Sequence, residues 1–255
     1  MGRGIRLCFI IATEKRFLLL PPYHYAMVTM HDDILMMGRS RGWLLEPEAK
    51  EICRRYGIPI GEWRLAKSKA DAIRASKELS YPVAIKLVSP DVVHKSDVGG
   101  VKLDIEDDDG AGLAFEELDN VCKTRGYRFE GVLIERMAQR GIETIVGAKR
   151  DIQFGPVMMF GLGGIFVEVF KDVSFRVSPI SDEDAKEMIT ELKAYPILKG
   201  IRGRPPSDID SIAGLLVKVS KIMNELELVN EIDLNPVIVY ERGFAIVDAR
   251  IILRQ

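Results

Sequence analysis

Tyr81-Pro-Val-Ala-Ile-Lys86-Leu-Val-Ser-Pro-Asp-Val-Val-His94-Lys-Ser-Asp-Val-Gly99-Gly100-Val-Lys-Leu-Asp-Ile105 reads as strand, loop, glycine turn and strand. Val83, Ile85 and Leu87 alternate with Ala84, Lys86 and Val88, and the alternation resumes at Val101, Leu103 and Ile105. Lys86 shares its face with Ala84 and Val88, so its ammonium must reach water or find an anion, because burying it unpaired costs several kcal/mol. An anionic ligand would resolve that conflict. Gly99 and Gly100 let a backbone approach a ligand closely and present N–H groups, as a phosphate cradle does. The ordinary alternative is an edge lysine followed by a tight hairpin turn.

Upstream, Glu46-Pro47-Glu48 opens a helix with proline in its first turn and acids at its positive end, and Gly57 stops it. Ser68 then caps a second helix that delivers the chain to Tyr81-Pro82. Tyr-Pro-Val-x-x-Lys after an amphipathic helix, with Gly-Gly-Val following, resembles the small subdomain of ATP-grasp enzymes. The fuller string around His94 resembles the nucleotide-binding beta subunit of ADP-forming acetyl-CoA synthetase, a relative of succinyl-CoA synthetase. The resemblance runs from about Leu44 to Leu253. It implies an α+β ATP-grasp fold in which residues 44–255 form the domain, a small subdomain over 58–136 and a larger one over 137–255 clamping a nucleotide. Residues 44–57 could pack with either. At Ser80 the family often carries glycine.

Downstream, Val132-Leu-Ile-Glu135-Arg136-Met137 reads as a strand. By the resemblance it leads into the hinge lining the adenine pocket, where Glu135, Arg136 and Met137 contact the nucleotide. Gly141 to Gly147 alternates, and its match to Gly-x-Glu-x-x-x-Gly implies a nucleotide-site carboxylate at Glu143. Phe154 to Val169 reads as two buried strands joined by Gly161, Gly163 and Gly164. Arg176 shares the side of Ser174 and Ser178; a phosphate contact and a plain surface arginine both remain open for it. Glu106 to Asp109 is a solvated turn and helix start, and Pro196 to Pro206, with Arg202 and Arg204, is a mobile loop of open role. Asn230 to Arg250 reads as a hairpin in which Asp233 and Asn235 share one parity and Asp248 can face them. Hard Mg2+ takes such oxygens together with waters and nucleotide phosphates. The resemblance assigns Asn235 and Asp248 to magnesium, and Asp233 to orienting the phosphorylated histidine or the metal.

An imidazole is largely neutral near pH 7 and attacks phosphorus without prior loss of a proton, which suits a relay nucleophile. His94 takes that role by the resemblance, because it lies inside His-Lys-Ser-Asp-x-Gly-Gly-Val. The implied reaction is acyl-CoA + ADP + phosphate giving acid + CoA + ATP, an acid–thiol ligase. No glycine fingerprint of a CoA-binding unit occurs in the chain, so the resemblance implies a separate CoA-binding alpha subunit in an α2β2 heterotetramer. Competing readings are a subunit of a succinyl- or other acyl-CoA synthetase, and a module that senses ADP and ATP without phosphoryl transfer.

The 255 residues, 47% apolar and 29% charged, suffice for one large domain or two modest ones. A net charge of -2 leaves no basic footprint for nucleic acid or anionic membrane. Cys8, Cys53 and Cys122 are odd in number and widely spaced, which argues against a disulfide framework and fits a reducing cytoplasm. Residues 1–43 show no sustained period and no run near the roughly 20 apolar residues of a membrane span. They read as an extension, arising from a misplaced start or packing on a partner, and not as an export signal.

Overall fold

The computed structural model describes residues 33–164, 171–201, 203 and 205–255. After a helical stretch over 33–39 the elements are β1 (Trp43–Leu44), α1 (Glu46–Arg55), β2 (Trp63–Ala66), α2 (Lys69–Leu79), β3 (Val83–Val88), β4 (Val101–Ile105), α3 (Asp108–Arg125), β5 (Gly131–Arg136), β6 (Ile142–Asp151), β7 (Gly155–Leu162), β8 (Val173–Val177), α4 (Asp182–Thr190), α5 (Tyr195–Leu198), α6 (Ile209–Glu225), β9 (Val229–Val239), β10 (Phe244–Ile246) and β11 (Ala249–Leu253). The architecture is α+β with two antiparallel sheets, as the sequence implies.

The smaller sheet has the order β2-β5-β3-β4. Val83, Ile85 and Leu87 of β3 pack with Ala72 and Leu79 of α2 and Ala114 and Leu118 of α3 in one apolar cluster. Burial of each large side chain contributes about 1.5–3 kcal/mol. All six β3 residues are buried, including Ala84, Lys86 and Val88 on the other face. Side-chain caps start the flanking helices: Ser68 accepts the Asp71 N–H at 3.1 Å and Asp107 accepts the Gly110 N–H at 2.7 Å. Ser80 ends α2 at φ +66°, a backbone region in which a side chain costs stability and glycine does not.

The larger sheet runs β1-β11-β9-β6-β7-β8, with β10 paired to β9. One face is covered by α1, α4 and α6; Ile212, Leu216, Val219 and Met223 of α6 recur at helical steps and sink into the same core as Ile52, Met158 and Ile232. Packing begins upstream of residue 44, because Ile34 and Leu35 are buried in this core and Trp43 pairs with Ile252. Residues 44–57, which the sequence reading leaves unassigned to either expected subdomain, pack into the core of the larger sheet through Ala49, Ile52 and Cys53. Cys53 and Cys122 are free, buried thiols. The readings for residues 1–32, for the strand after Gly164 over 165–170, and for Arg202 and Arg204 lie outside the described residues.

Asp208 caps α6 and also ties it to the β9–β10 turn, accepting N–H groups from Ser211 at 3.0 Å and Gly243 at 2.7 Å. The Gly243 N–H and the Ser211 hydroxyl and N–H hold this carboxyl below the usual carboxylate range. A depressed folded value contributes stability above the unfolded value of about 3.9 that is lost as pH falls through the folded one. Asp208→Ala is therefore expected to cost about 1–2 kcal/mol at pH 7 in urea unfolding, with the gap narrowing below about pH 3.9. A pH-independent gap would contradict this.

Candidate active site

The face of the larger sheet not covered by helices turns toward β3 and β4. Cross-strand register sets Arg250 opposite Asp233, Asp233 opposite Gly147, Gly147 opposite Met159 and Met159 opposite Phe175. A cavity of about 380 Å³ lies at the β11 end of this row, lined by Lys86, His94, Asp233, Asn235, Asp248 and Arg250 among others. A second cavity of about 660 Å³ adjoins it through Leu103, Pro236 and Val247 and is lined by Glu135, Arg136, Met137 and Glu143. The fold thus brings together five of the expected site residues in one cavity and four in its neighbour.

The histidine loop folds on its own glycines. Ser96–Val98 form one 3-10 turn and Gly99 follows at φ +70°. The Gly100 N–H is donated to the Lys95 carbonyl at 2.7 Å, and a Cβ on Gly100 would sit 2.9 Å from that oxygen and 3.3 Å from the Leu87 Cβ. The Gly99 N–H goes to the Ser96 carbonyl at 3.2 Å. The phosphate cradle read from this pair is therefore corrected: in this conformation both N–H groups close the turn, and the small size of Gly100 admits the Lys95 backbone.

Exposed His94 places Nε2 3.2 Å from Nη1 of Arg250. Guanidinium is donor-only, so it pairs with the lone-pair nitrogen of the ring. The other Arg250 nitrogen, Nη2, lies 3.1 Å from both Asp233 and Glu231. Burial raises the Asp233 carboxyl above its ordinary value, Arg250 opposes that, and neighbouring Glu231 adds to it. Arg250 is a site residue that the sequence reading missed; its signal was the two-residue step from Asp248 on the return strand.

Beneath the loop lies a cluster of three lysines and three carboxylates. Glu46 Oε1 is 3.0 Å from Lys50 and 2.9 Å from Lys86, and Glu135 pairs with both of those ammonium groups. Lys86 and Lys50 also donate to the Val247 carbonyl. Lys95 lies 3.1 Å from Glu46 Oε2 and 3.0 Å from Asp248 Oδ1. Lys86 therefore meets its anions within the protein, where the sequence reading supplied a ligand. Burial alone would raise the Glu46 carboxyl, but Lys86, Lys50 and Lys95 together hold it well below the usual range. Burial likewise disfavours charge on Lys86 and Lys95, yet Glu46 and the other carboxylates raise both. Asp248 is pushed up by burial and by the Glu46 charge.

Magnesium fits this donor set in part. Asp248 Oδ1 is shielded from solvent and faces the Lys95 ammonium at 3.0 Å, which a metal ion there would replace, and Asn235 shares its cavity, with its N–H donated to the Asp248 carbonyl at 3.3 Å. No cluster of three or more His, Cys, Asp or Glu suited to a metal occurs among the described residues, so phosphates and waters would complete the shell. At the hinge, β5 lies between β2 and β3, so the Glu135 backbone serves the sheet, and the Met137 N–H goes to the Pro82 carbonyl at 3.0 Å. The Glu135 side chain points instead to the lysines. Arg176 is placed elsewhere: beside buried Ser174 and Ser178 on the helix-covered face, bound to Glu191 at 2.9 Å and to Glu187 at 3.5 Å, both near the end of α4.

The matched family model is that of the ATP-grasp domain, over residues 36–253, and the chain belongs to that family. Within it, the chain is 52% identical over 214 residues to the ADP-forming acetate–CoA ligase I subunit beta of Pyrococcus furiosus, covering 82% of this chain and 91% of that one. ADP-forming acetate–CoA ligase I of Archaeoglobus fulgidus is 49% identical over 215 residues, which are 84% of this chain and 31% of that protein, so the chain spans about a third of that relative's length. A solved structure of Ca. Korarchaeum cryptofilum acetyl-coenzyme A synthetase 1, with coenzyme A, Mg-AMPPCP and its phosphohistidine segment pointing towards the nucleotide binding site, superposes with a TM-score of 0.78 at 46% identity, over 88% of this chain and all of that one.

Proposed function

We propose that the chain is the nucleotide-binding beta subunit of an ADP-forming acetyl-CoA synthetase, an acid–thiol ligase that works with a CoA-binding alpha subunit in the cytoplasm as an α2β2 assembly. The observation that carries this reading is the approach of the His94 imidazole to Arg250 in the cavity that also holds Lys86, Asp233, Asn235 and Asp248. The P–N bond of phosphorylated His94 breaks as a β-phosphate oxygen of ADP forms the new P–O bond, and the bonding pair returns to the ring. Asp233 and Arg250 orient that ring. Lys86 lies where it can neutralise phosphate charge after exchanging Glu46 or Glu135 for it, and the cavity at Glu135 to Met137 and Glu143 takes the adenosine. Asn235 and Asp248 would hold Mg2+, which supplies charge neutralisation on the transferring group. No described helix is long and apolar enough to cross a membrane, and neither nucleic acid nor membrane is a partner in this reading.

The reading is tested with Mg-ATP labelled at the γ-phosphate. An acid-labile phosphate on His94, found by peptide mass spectrometry with the chain alone or with its CoA-binding partner, is expected. Absence of label under both conditions would sink it.

A further inference from the structure

Between the two adjoining residues His94 and Lys95, it is Lys95 that reaches the buried charge cluster. Glu46 Oε1 is engaged by Lys50 and Lys86, while the shielded Glu46 Oε2 has the Lys95 ammonium at 3.1 Å. Asp248 Oδ1 is in the same condition, with Lys95 at 3.0 Å. The Glu46 side chain is 3% exposed and comes from the first turn of α1, on the larger subdomain's core. Lys95 is also the backbone hub of the turn, since its carbonyl accepts the N–H groups of Gly100 at 2.7 Å and Val98 at 3.3 Å. Among the described residues, the hydrogen-bond partner of His94 is Arg250, at 3.2 Å.

We propose that Glu46 is the positioning residue that seats the histidine segment, gripping Lys95 so that the adjoining imidazole is presented to Arg250. This rests on the reading of His94 as the phosphate carrier, and adds to it what holds the carrier in place. The physical reason is charge. When Lys95 withdraws, two shielded carboxylate oxygens lose their nearest cation and Glu46 and Asp248 are left to repel one another. One segment position is therefore favoured without any bond to His94. The same carboxylate holds Lys86, so the seat and the phosphate-facing lysine share one anchor.

Hydrogen exchange on the ligand-free chain tests this without phosphoryl transfer. In Glu46→Gln, and separately in Lys95→Met, amides in peptides covering residues 92–100 are expected to exchange at least about tenfold faster than in the parent chain, measured against peptides from α2 and α6. The double variant, in which one negative and one positive charge are both gone, is expected to exchange no faster than Lys95→Met alone, and Lys95→Arg to restore protection. With Mg-ATP, Lys95→Met should slow His94 phosphorylation at saturation at least about tenfold while changing the half-saturating nucleotide concentration less than threefold. Parent-like exchange in both single variants, or additive effects in the double, would overturn the seating role. If His94 takes no label in the parent chain, either alone or with its CoA-binding partner, but the exchange pattern appears, the seat stands and the carrier reading fails.

Discussion

Replacing His94 by asparagine is expected to lower ATP formation from ADP, phosphate and acyl-CoA at least roughly ten-thousand-fold, because the group proposed to carry phosphate through this cavity is removed. The fold should not notice. His94 is exposed, and among the described residues its hydrogen-bond contact is to Arg250, which keeps Asp233 and Glu231 as partners. Exposed substitutions of this kind cost within about 0.5 kcal/mol, a shift of roughly 1–2 °C in a domain of this size. Nucleotide binding should persist as well, since Lys86 and the neighbouring cavity are untouched. A nucleotide-sensing module predicts the opposite pattern, with every readout unchanged in the variant. Turnover within tenfold of the parent would therefore reject phosphate carriage by His94.

Much of the fold was legible because its signals are local. The alternation on either side of Gly99-Gly100, the caps at Ser68 and Asp107 and the helical step along α6 each specify an element from a few adjacent residues. Pairing of Asp233 with its return strand was legible for the same reason, since a hairpin fixes register over a short distance. Contacts between distant segments were not. Glu46 was legible only as an acid at a helix start, and Lys50, one helical turn on, carried no sequence signal of the distant Lys86, Lys95 and Glu135 that complete its cluster. Parity correctly grouped Arg176 with Ser174 and Ser178, but parity tells which residues share a face and not which face meets the cleft. That choice is made by α4, where Glu187 and the capping residue Glu191 take the arginine. Lys86 was recognised as a charge in need of an anion, yet the identity of that anion depended on residues 40 positions upstream and 49 downstream, as the separations from Glu46 and Glu135 show.

Lys86→Met separates the structural and ligand roles of that cluster. Three lysines face three carboxylates, so removing Lys86 leaves one uncompensated negative charge below the histidine loop. Breaking a buried pair from one side costs roughly 3–5 kcal/mol, because the remaining charge has neither water nor partner. The urea midpoint should fall accordingly at unchanged slope. Adding Glu135→Gln restores the balance, and roughly 1–3 kcal/mol should return, a coupling typical of side chains in contact. Nucleotide affinity should not follow. A lost charge-assisted contact to phosphate is worth about 1.5–3 kcal/mol, so the half-saturating Mg-ATP concentration should rise at least tenfold in Lys86→Met and remain raised in the double variant. If Glu135→Gln restored nucleotide binding together with stability, Lys86 would act only through the integrity of the cluster. If Lys86→Met cost less than about 1 kcal/mol, the cluster would be open to solvent and its charges screened, contrary to the 2% exposure of Lys86.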